Sequence, residues 1–187
     1  MVNEKLDRRK KYTRMVLKDG LIALLKTKPI SAVTVKEICE LADINRSTFY
    51  SHYKDPFDLL DQMEEEIIED MNTYLNQYNF TKEEESLKMT ERLLEYIFSK
   101  REICHTLLNE NGDSSFETRV MTVAQKFLIQ NWMDINAFQT NRYEYVSVFV
   151  ISGSIHIIKH WLANNMDQTP KEIALIINHI ANNGLKG

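Results

Sequence analysis

From Arg8 to Lys26 the apolar positions Tyr12, Met15, Val16, Leu17, Leu21, Ile22, Leu24 and Leu25 recur at roughly helical spacing, which predicts a first amphipathic helix. It ends at Lys28-Pro29, because proline disfavours helical backbone in the residue before it. Thr34-Val35-Lys36-Glu37 has the form of a capping box, in which the Thr34 hydroxyl accepts from the Glu37 N–H and the Glu37 carboxylate returns to the Thr34 N–H. A second helix therefore starts there and turns Val35, Ile38, Cys39 and Ala42 inward. Asp43 tolerates left-handed backbone and turns the chain, Ile44 plugs the turn, and Asn45 caps a third helix from Arg46 to about Tyr53. So short a helix is not stable alone and must be held by burying Phe49 and Tyr53.

Asp55-Pro56 restarts the chain as cap and first helical residue, and apolar positions from Phe57 through Met71 to Leu75 extend a long fourth helix to about Gln77. Beyond Asn79, Thr81-x-x-Glu84 forms a second capping box and opens a helix to about Ser99; a shorter one holds Ile103, Cys104, Leu107 and Leu108. Asn111-Gly112-Asp113 breaks the pattern. Two long helices follow, roughly Phe116 to Met133 and Asn141 to Asn164, the second apolar nearly all round and so expected to be buried. Thr169-Pro170-Lys171-Glu172 opens the last helix and Gly184 closes it. The reading is an all-α chain of about nine helices: a three-helix head over 1–54, a connecting helix over 55–78 and a helical body over 79–187.

Composition supports helices, since 5 Gly and 3 Pro in 187 residues are too few turn signals for a sheet protein. With 43% hydrophobic and 27% charged residues the chain is an ordinary globular one. Cys39 and Cys104 stand singly in apolar segments, which fits a reduced, cytoplasmic setting. The N-terminal MVNEKLDRRKKY lacks the apolar stretch of a signal peptide, and the most apolar run, Tyr145 to Ile158, falls short of the ~20 residues of a membrane span. No membrane association is expected.

The formal charge of −4 hides an asymmetry: residues 1–54 hold 12 Lys+Arg against 6 Asp+Glu, a formal +6, and the remainder holds 11 against 21, a formal −10. A basic head on an acidic body suits a protein that presents one face to phosphates. The acidic run from Glu64 to Asp70 reads as a solvated helix face.

Two short helices joined by a three-residue turn make a helix-turn-helix whose second helix fits the major groove of DNA. That helix exposes Arg46, Ser47, Thr48, Tyr50 and Ser51. Arg46 suits two bonds to guanine, Ser47 and Thr48 suit base edges or phosphate, and Tyr50, Ser51, His52 and Lys54 suit backbone oxygens.

Residues 34–60, TVKEICELADINRSTFYSHYKDPFDLL, closely resemble the DNA-binding segment of the TetR family of transcriptional regulators. Carried over position by position, the resemblance implies DNA contacts from Thr34 and Lys36 on the second helix and from Arg46, Ser47, Thr48, Tyr50, Ser51, His52 and Lys54 around the third. Asp43 stands at a turn position usually held by glycine. Pro56 stands where the family often places a second phosphate-binding lysine, and that contact is lost. The segment GSIHIIKHWLANNMDQTPKEI, residues 153–173, resembles a TetR-like C-terminal domain, of the type also found in regulators of dihydroxyacetone kinase operons. The resemblance implies a homodimer in which the last two long helices pair with their twofold mates. Ser152, Gly153 and Ser154 would permit close approach, and Ile157, Ile173, Ile176, Ile177 and Ile180 would provide the apolar stripe. It implies a function as a regulator binding a palindromic double-stranded operator and released by a ligand, or an activator controlled by a protein partner. An effector pocket within 84–165 is implied as well, with Met89, Tyr96, Phe116, Met121, Phe127 and Trp132 as candidate lining, and the body end of the fourth helix near Tyr74, Leu75 and Tyr78 as the point where the signal enters.

His156 and His160 have the spacing of two metal ligands and Cys104-His105 could add to them, but no Asp or Glu joins the pair at ligand spacing, so no metal is expected. No phosphate loop, nucleophile elbow or apolar carboxylate pair is found, and the chain reads as a non-enzyme without a cofactor.

Overall fold

In a computed structural model of the chain, residues 2–77, 83–108, 115–133 and 140–184 are described, with side chains over 7–77, 84–108, 116–128 and 144–182. The described residues form nine α-helices and one 3-10 turn, with no strand. The helices are α1 (Val2–Leu25), α2 (Val35–Ala42), α3 (Arg46–Tyr50), α4 (Pro56–Leu75), α5 (Glu83–Ser99), α6 (Arg101–Leu108), α7 (Ser115–Met133), α8 (Thr140–Ala163) and α9 (Pro170–Gly184).

Local chemistry sets the boundaries. Thr34 and Glu37 complete the capping box in both directions, at 3.3 Å from the Glu37 N–H to the Thr34 hydroxyl and 3.0 Å from the Thr34 N–H to the Glu37 carboxylate. Thr169 and Glu172 do the same at α9. Asp43 closes α2 with φ 52° and ψ 44°, the left-handed geometry that a short polar side chain tolerates, and the Ile44 N–H returns to the Cys39 carbonyl at 3.0 Å. Asn45 caps α3 and Asp55 caps α4, with Pro56 at its first position. The α3 helix stops at Tyr50, earlier than its pattern suggests, although the His52 and Tyr53 N–H groups still reach the Phe49 carbonyl. The capping box at Thr81 and the break at Asn111-Gly112-Asp113 lie outside the described residues.

One apolar core runs from Leu17, Leu21 and Ile38 in the head through Phe49, Leu59 and Met63 to Tyr96, Leu107 and Phe116 in the body. A second gathers Met71, Leu75, Met89, Phe127 and Ile151, and a third joins Leu94 and Trp161 to Ile173 and Ala174 where α5 packs along α9. At Gly20, where α1 crosses α2, a Cβ would stand 3.2 Å from the Ile38 carbonyl oxygen, so the close approach of the two helices needs this glycine.

The acidic run of α4 is only in part the solvated face its sequence suggests: Glu65, Glu69 and Asp70 are exposed, Glu66 is half-buried and Glu64 is buried. Arg119 of α7 binds Asp61 at 3.0 Å, Glu64 at 3.1 Å and also Glu65, and Glu64 is buried. Glu66 takes Arg14 at 3.1 Å and Lys18 from α1, and Asp70 accepts the Tyr96 hydroxyl at 2.7 Å. The carboxylates of α4 thus clamp it to the head on one side and to the body on the other. A guanidinium surrounded by three carboxylates, one of them buried, exchanges its hydration for charge-assisted bonds.

Candidate nucleic-acid interface

The α2–turn–α3 unit positions its surface through what lies beneath it. Phe49 is completely buried, with the rings of Tyr50 and Tyr53 at 5.6 and 5.7 Å, and Ile38 and Leu21 close the floor. With that side fixed, the opposite face of a five-residue helix is fixed too. It leaves Arg46, Ser47, Tyr50 and Ser51 exposed, Tyr50 at 59%, while Thr48 is partly buried. Thr34, Lys36 and Lys54 are exposed on its flanks, and His52 is half-buried. The nine sequence-selected residues therefore gather on one end of the head.

Their hydrogen bonding separates them. The Ser47 hydroxyl donates to Asn45 Oδ1 at 2.7 Å, the Ser51 hydroxyl to the Thr48 carbonyl at 2.6 Å, and the Thr34 hydroxyl to Glu37 at 2.8 Å. Each must rotate away from an internal acceptor before it can donate to a phosphate. Lys36 lies 3.7 Å from Glu40, an exposed pair worth little. Arg46 and Lys54 carry no ion pair among the described residues, and they and Tyr50 are the groups ready to meet a polyanion. Burial, with Arg14 and Lys10 nearby, holds His52 below its usual range, so it faces solvent as the neutral ring at neutral pH. An approaching phosphate would favour its protonation.

Lys28, 2.6 Å from Glu37, together with the Thr34 hydroxyl and N–H, pulls the Glu37 carboxyl down to about 2. A carboxyl so lowered contributes stability that is present above its ordinary value of 4.5 and is lost as pH falls towards 2. Replacing Glu37 with Gln is expected to lower stability at neutral pH and to flatten the acid limb of the unfolding profile over that window. Thermal unfolding followed by circular dichroism across the range checks this, and parallel acid limbs in the two proteins would show that Glu37 carries no such linkage.

The far end of the molecule presents a different surface. Although α8 is apolar nearly all round, it is not buried: Ile151, Ile155, Trp161 and Leu162 pack inward while Tyr145 and Phe149 are 79% and 70% exposed. Over Glu144–Ala163 this helix is long and apolar enough to cross a membrane by length and composition alone. The stripe of α9 splits. Ile173 is buried and Ile177 half-buried against the core that holds Leu94 and Trp161, whereas Leu175, Ile176 and Ile180 face outward. Ile157 packs partly on the same core, Ser152 is half-buried, and Gly153 is exposed with no atom within 4 Å of where a Cβ would stand. Of the residues expected in an apolar stripe, Ile173 and Ile177 thus pack within the protomer while Ile176 and Ile180 are exposed, and Tyr145, Val148 and Phe149 add to the exposed apolar surface. His156 Nδ1 lies 2.8 Å from the Ser152 carbonyl and His160 Nε2 3.0 Å from the Asn164 amide, so both rings bond within their own helix.

Between these ends, α4, α5, α6, α7, α8 and α9 line an apolar cavity of about 160 Å³ that is partly open to the surface. Met89, Tyr96, Phe116 and Phe127 line it as expected, Met121 does not, and the Trp132 side chain lies outside the described residues. From α4 it receives Ile67, Met71 and Leu75; the Tyr74 ring instead packs at a tilt against Tyr96, 5.3 Å between centroids, and Tyr78 lies outside the described residues.

Residues 84–183 match the family TetR_C_8, described as a transcriptional regulator C-terminal region. A curated relative, the uncharacterized HTH-type transcriptional regulator YxbF of Bacillus subtilis (strain 168), is 39% identical over 64 residues, 34% of this chain, and the match spans 16% of that relative's length. A TetR-family regulator from Syntrophomonas wolfei superposes with TM-score 0.71 at 15% identity, over 95% of this chain and 96% of its own. The dihydroxyacetone kinase operon activator DhaS superposes with TM-score 0.63 at 14% identity, over 93% and 96%. At such identities the likeness is one of fold.

Proposed function

Because the chain belongs to the TetR family of transcriptional regulators, we propose that it acts in the cytoplasm as a dimeric repressor that binds a palindromic DNA operator and is released from it by a small molecule. The observation that carries the reading is the third helix: an anchored, five-residue surface on which Arg46 and Tyr50 are exposed and Arg46 carries no ion pair among the described residues. A twofold dimer through the exposed faces of α8 and α9 would present two such helices, and a palindrome mirrors that symmetry. Of the two modes of control, the apolar cavity favours a ligand over a protein partner, since the exposed apolar faces of α8 and α9 are taken up by the dimer in this reading.

The two exposed anchors have different expected roles. Arg46→Ala should relax preference at one base pair, costing ~1–3 kcal/mol if Arg46 is bidentate to guanine, while Tyr50→Ala should weaken binding to every sequence alike. Selection of bound duplexes from a random pool by each variant reads the difference, and an unchanged preference with Arg46→Ala would assign that residue to phosphate.

The route from cavity to DNA runs through α4. Its 20 residues span ~30 Å at 1.5 Å each, with Ile67, Met71 and Leu75 on the cavity and Glu66 on Arg14 and Lys18 of the head. A ligand that displaces the cavity side of this helix shifts the spacing of the two heads, which must match the ~34–36 Å between successive major grooves. Coupling of this kind is reciprocal, so operator DNA must weaken the effector by the factor with which the effector weakens DNA.

A further inference from the structure

The walls of the cavity carry a statement about what can enter it. Among the described residues no Lys, Arg, His, Asp or Glu lines it. Each polar group that does has its hydrogen bond elsewhere. The Thr90 hydroxyl donates to the Ser86 carbonyl at 3.0 Å and the Ser154 hydroxyl to the Val150 carbonyl at 2.7 Å. Asn178 is used at both ends, giving to the Ala174 carbonyl at 3.0 Å and accepting from Ser86 at 2.8 Å. The Tyr96 hydroxyl is held by Asp70, and burial together with that bond keeps it protonated. The Cys104 thiol, pushed up to about 12 by burial, stays neutral as well.

We propose that this cavity is a binding site for a compact, uncharged, apolar molecule of one aromatic ring or a short alkyl chain, and that this is the chemical class of the regulator's effector. Size sets the scale: a cavity of ~150 Å³ lined by Leu, Ile and Phe stays dry and holds benzene, and this one is about 160 Å³. Water is a poor occupant, because a buried water needs two to four polar partners, and the wall hydroxyls of Thr90, Ser154 and Tyr96 have already given their protons to Ser86, Val150 and Asp70. An ammonium or carboxylate would surrender its hydration without recompense. Met71 and Met89 let the walls adapt, and Phe116 and Phe127 offer ring faces and edges to an aromatic guest.

The inference rests on the release reading for its biological sense but not for its test. In the full-length protein carrying ¹³C-labelled methionine methyls, toluene is expected to move the Met71 and Met89 resonances and to raise the melting temperature. Benzoate and benzylamine, of similar size but charged, are expected to bind at least ~100-fold more weakly. Ala124→Leu, which places a larger side chain on the cavity wall, is expected to abolish the toluene response. Charged probes that match toluene, or toluene that leaves both methyls unmoved, overturn the proposal whether or not the Ala124 variant folds. Operator affinity is measured separately by fluorescence anisotropy. If toluene binds and operator affinity does not change, the release reading fails and the binding site stands. If the protein binds no operator at all, the regulator reading fails and the methyl spectra still decide the site.

Discussion

Replacing Phe149 with glutamate is expected to leave a folded protomer that no longer dimerises and has lost operator affinity by a thousandfold or more. In the isolated protomer Phe149 is 70% exposed, so the substitution removes almost no internal packing and the melting curve should keep its shape. In the proposed twofold pair of α8 and α9 the same position would be covered together with Tyr145, Val148, Ile176 and Ile180, all exposed in the protomer. Close to the axis each substituted carboxylate would sit near its own copy. A desolvated charge without a partner costs at least ~4 kcal/mol, which is ~10³ in the dissociation constant. Loss of the second head then removes the gain of binding two half-sites at once. Sedimentation equilibrium and operator titration read the two effects together, and Ile180→Glu provides an independent entry from α9. A dimer that survives both substitutions would place the interface elsewhere and leave the exposed apolar face of α8 to some other cover.

What the sequence made legible and what it did not divide along physical lines. Caps and turns are local: Thr34 with Glu37, Asn45, Asp43 in left-handed geometry, Asp55 before Pro56, and Thr169 with Glu172 all involve partners within four residues, and all stand as read. The orientation of an apolar helix is not local. On α9 the rows Ile173–Ile177 and Ile176–Ile180 are both helically spaced, and only the position of Trp161 and Leu94 decides that the first faces inward. The helix α8 is apolar on all sides and has no sequence signature of a preferred face, so its pattern suggests burial all round where the structure leaves Tyr145, Val148 and Phe149 exposed. The acidic run of α4 finds its cation at Arg119, more than fifty residues away, which no charge pattern along one helix can foretell. A cavity is the absence of atoms: Met89, Tyr96, Phe116 and Phe127 follow from the family resemblance, whereas Ile67, Met71 and Ile151 have the pattern of plain core.

The opposite separation is expected from Phe49→Ala, which should leave the dimer intact and abolish operator binding. The α3 helix has five residues, whereas isolated helices shorter than ~12–15 residues are marginal in water even with favourable composition. Its N-terminus is fixed by Asn45, whose side chain accepts the Thr48 N–H at 2.8 Å. Its far end is held chiefly by Phe49, completely buried and edge-on to Tyr50, with the buried Tyr53 packed beside it. Truncation removes a whole ring from a closed core at a cost of ~3–5 kcal/mol, a large share of the ~5–15 kcal/mol that holds a typical domain together. The loss falls on the core that contains Leu21 and Ile38, while the α5–α9 cluster around Trp161 is a separate one. Hydrogen exchange should therefore quicken at the amides of α2 and α3 and stay slow in α9, and sedimentation should still report a dimer. With Arg46 and Tyr50 no longer held at a fixed height and angle, operator affinity should fall to the level of non-specific DNA. A Phe49→Ala protein that binds operator within about tenfold of the native affinity would show that the aromatic anchor does not position α3, and the recognition surface would have to be sought on another part of the head.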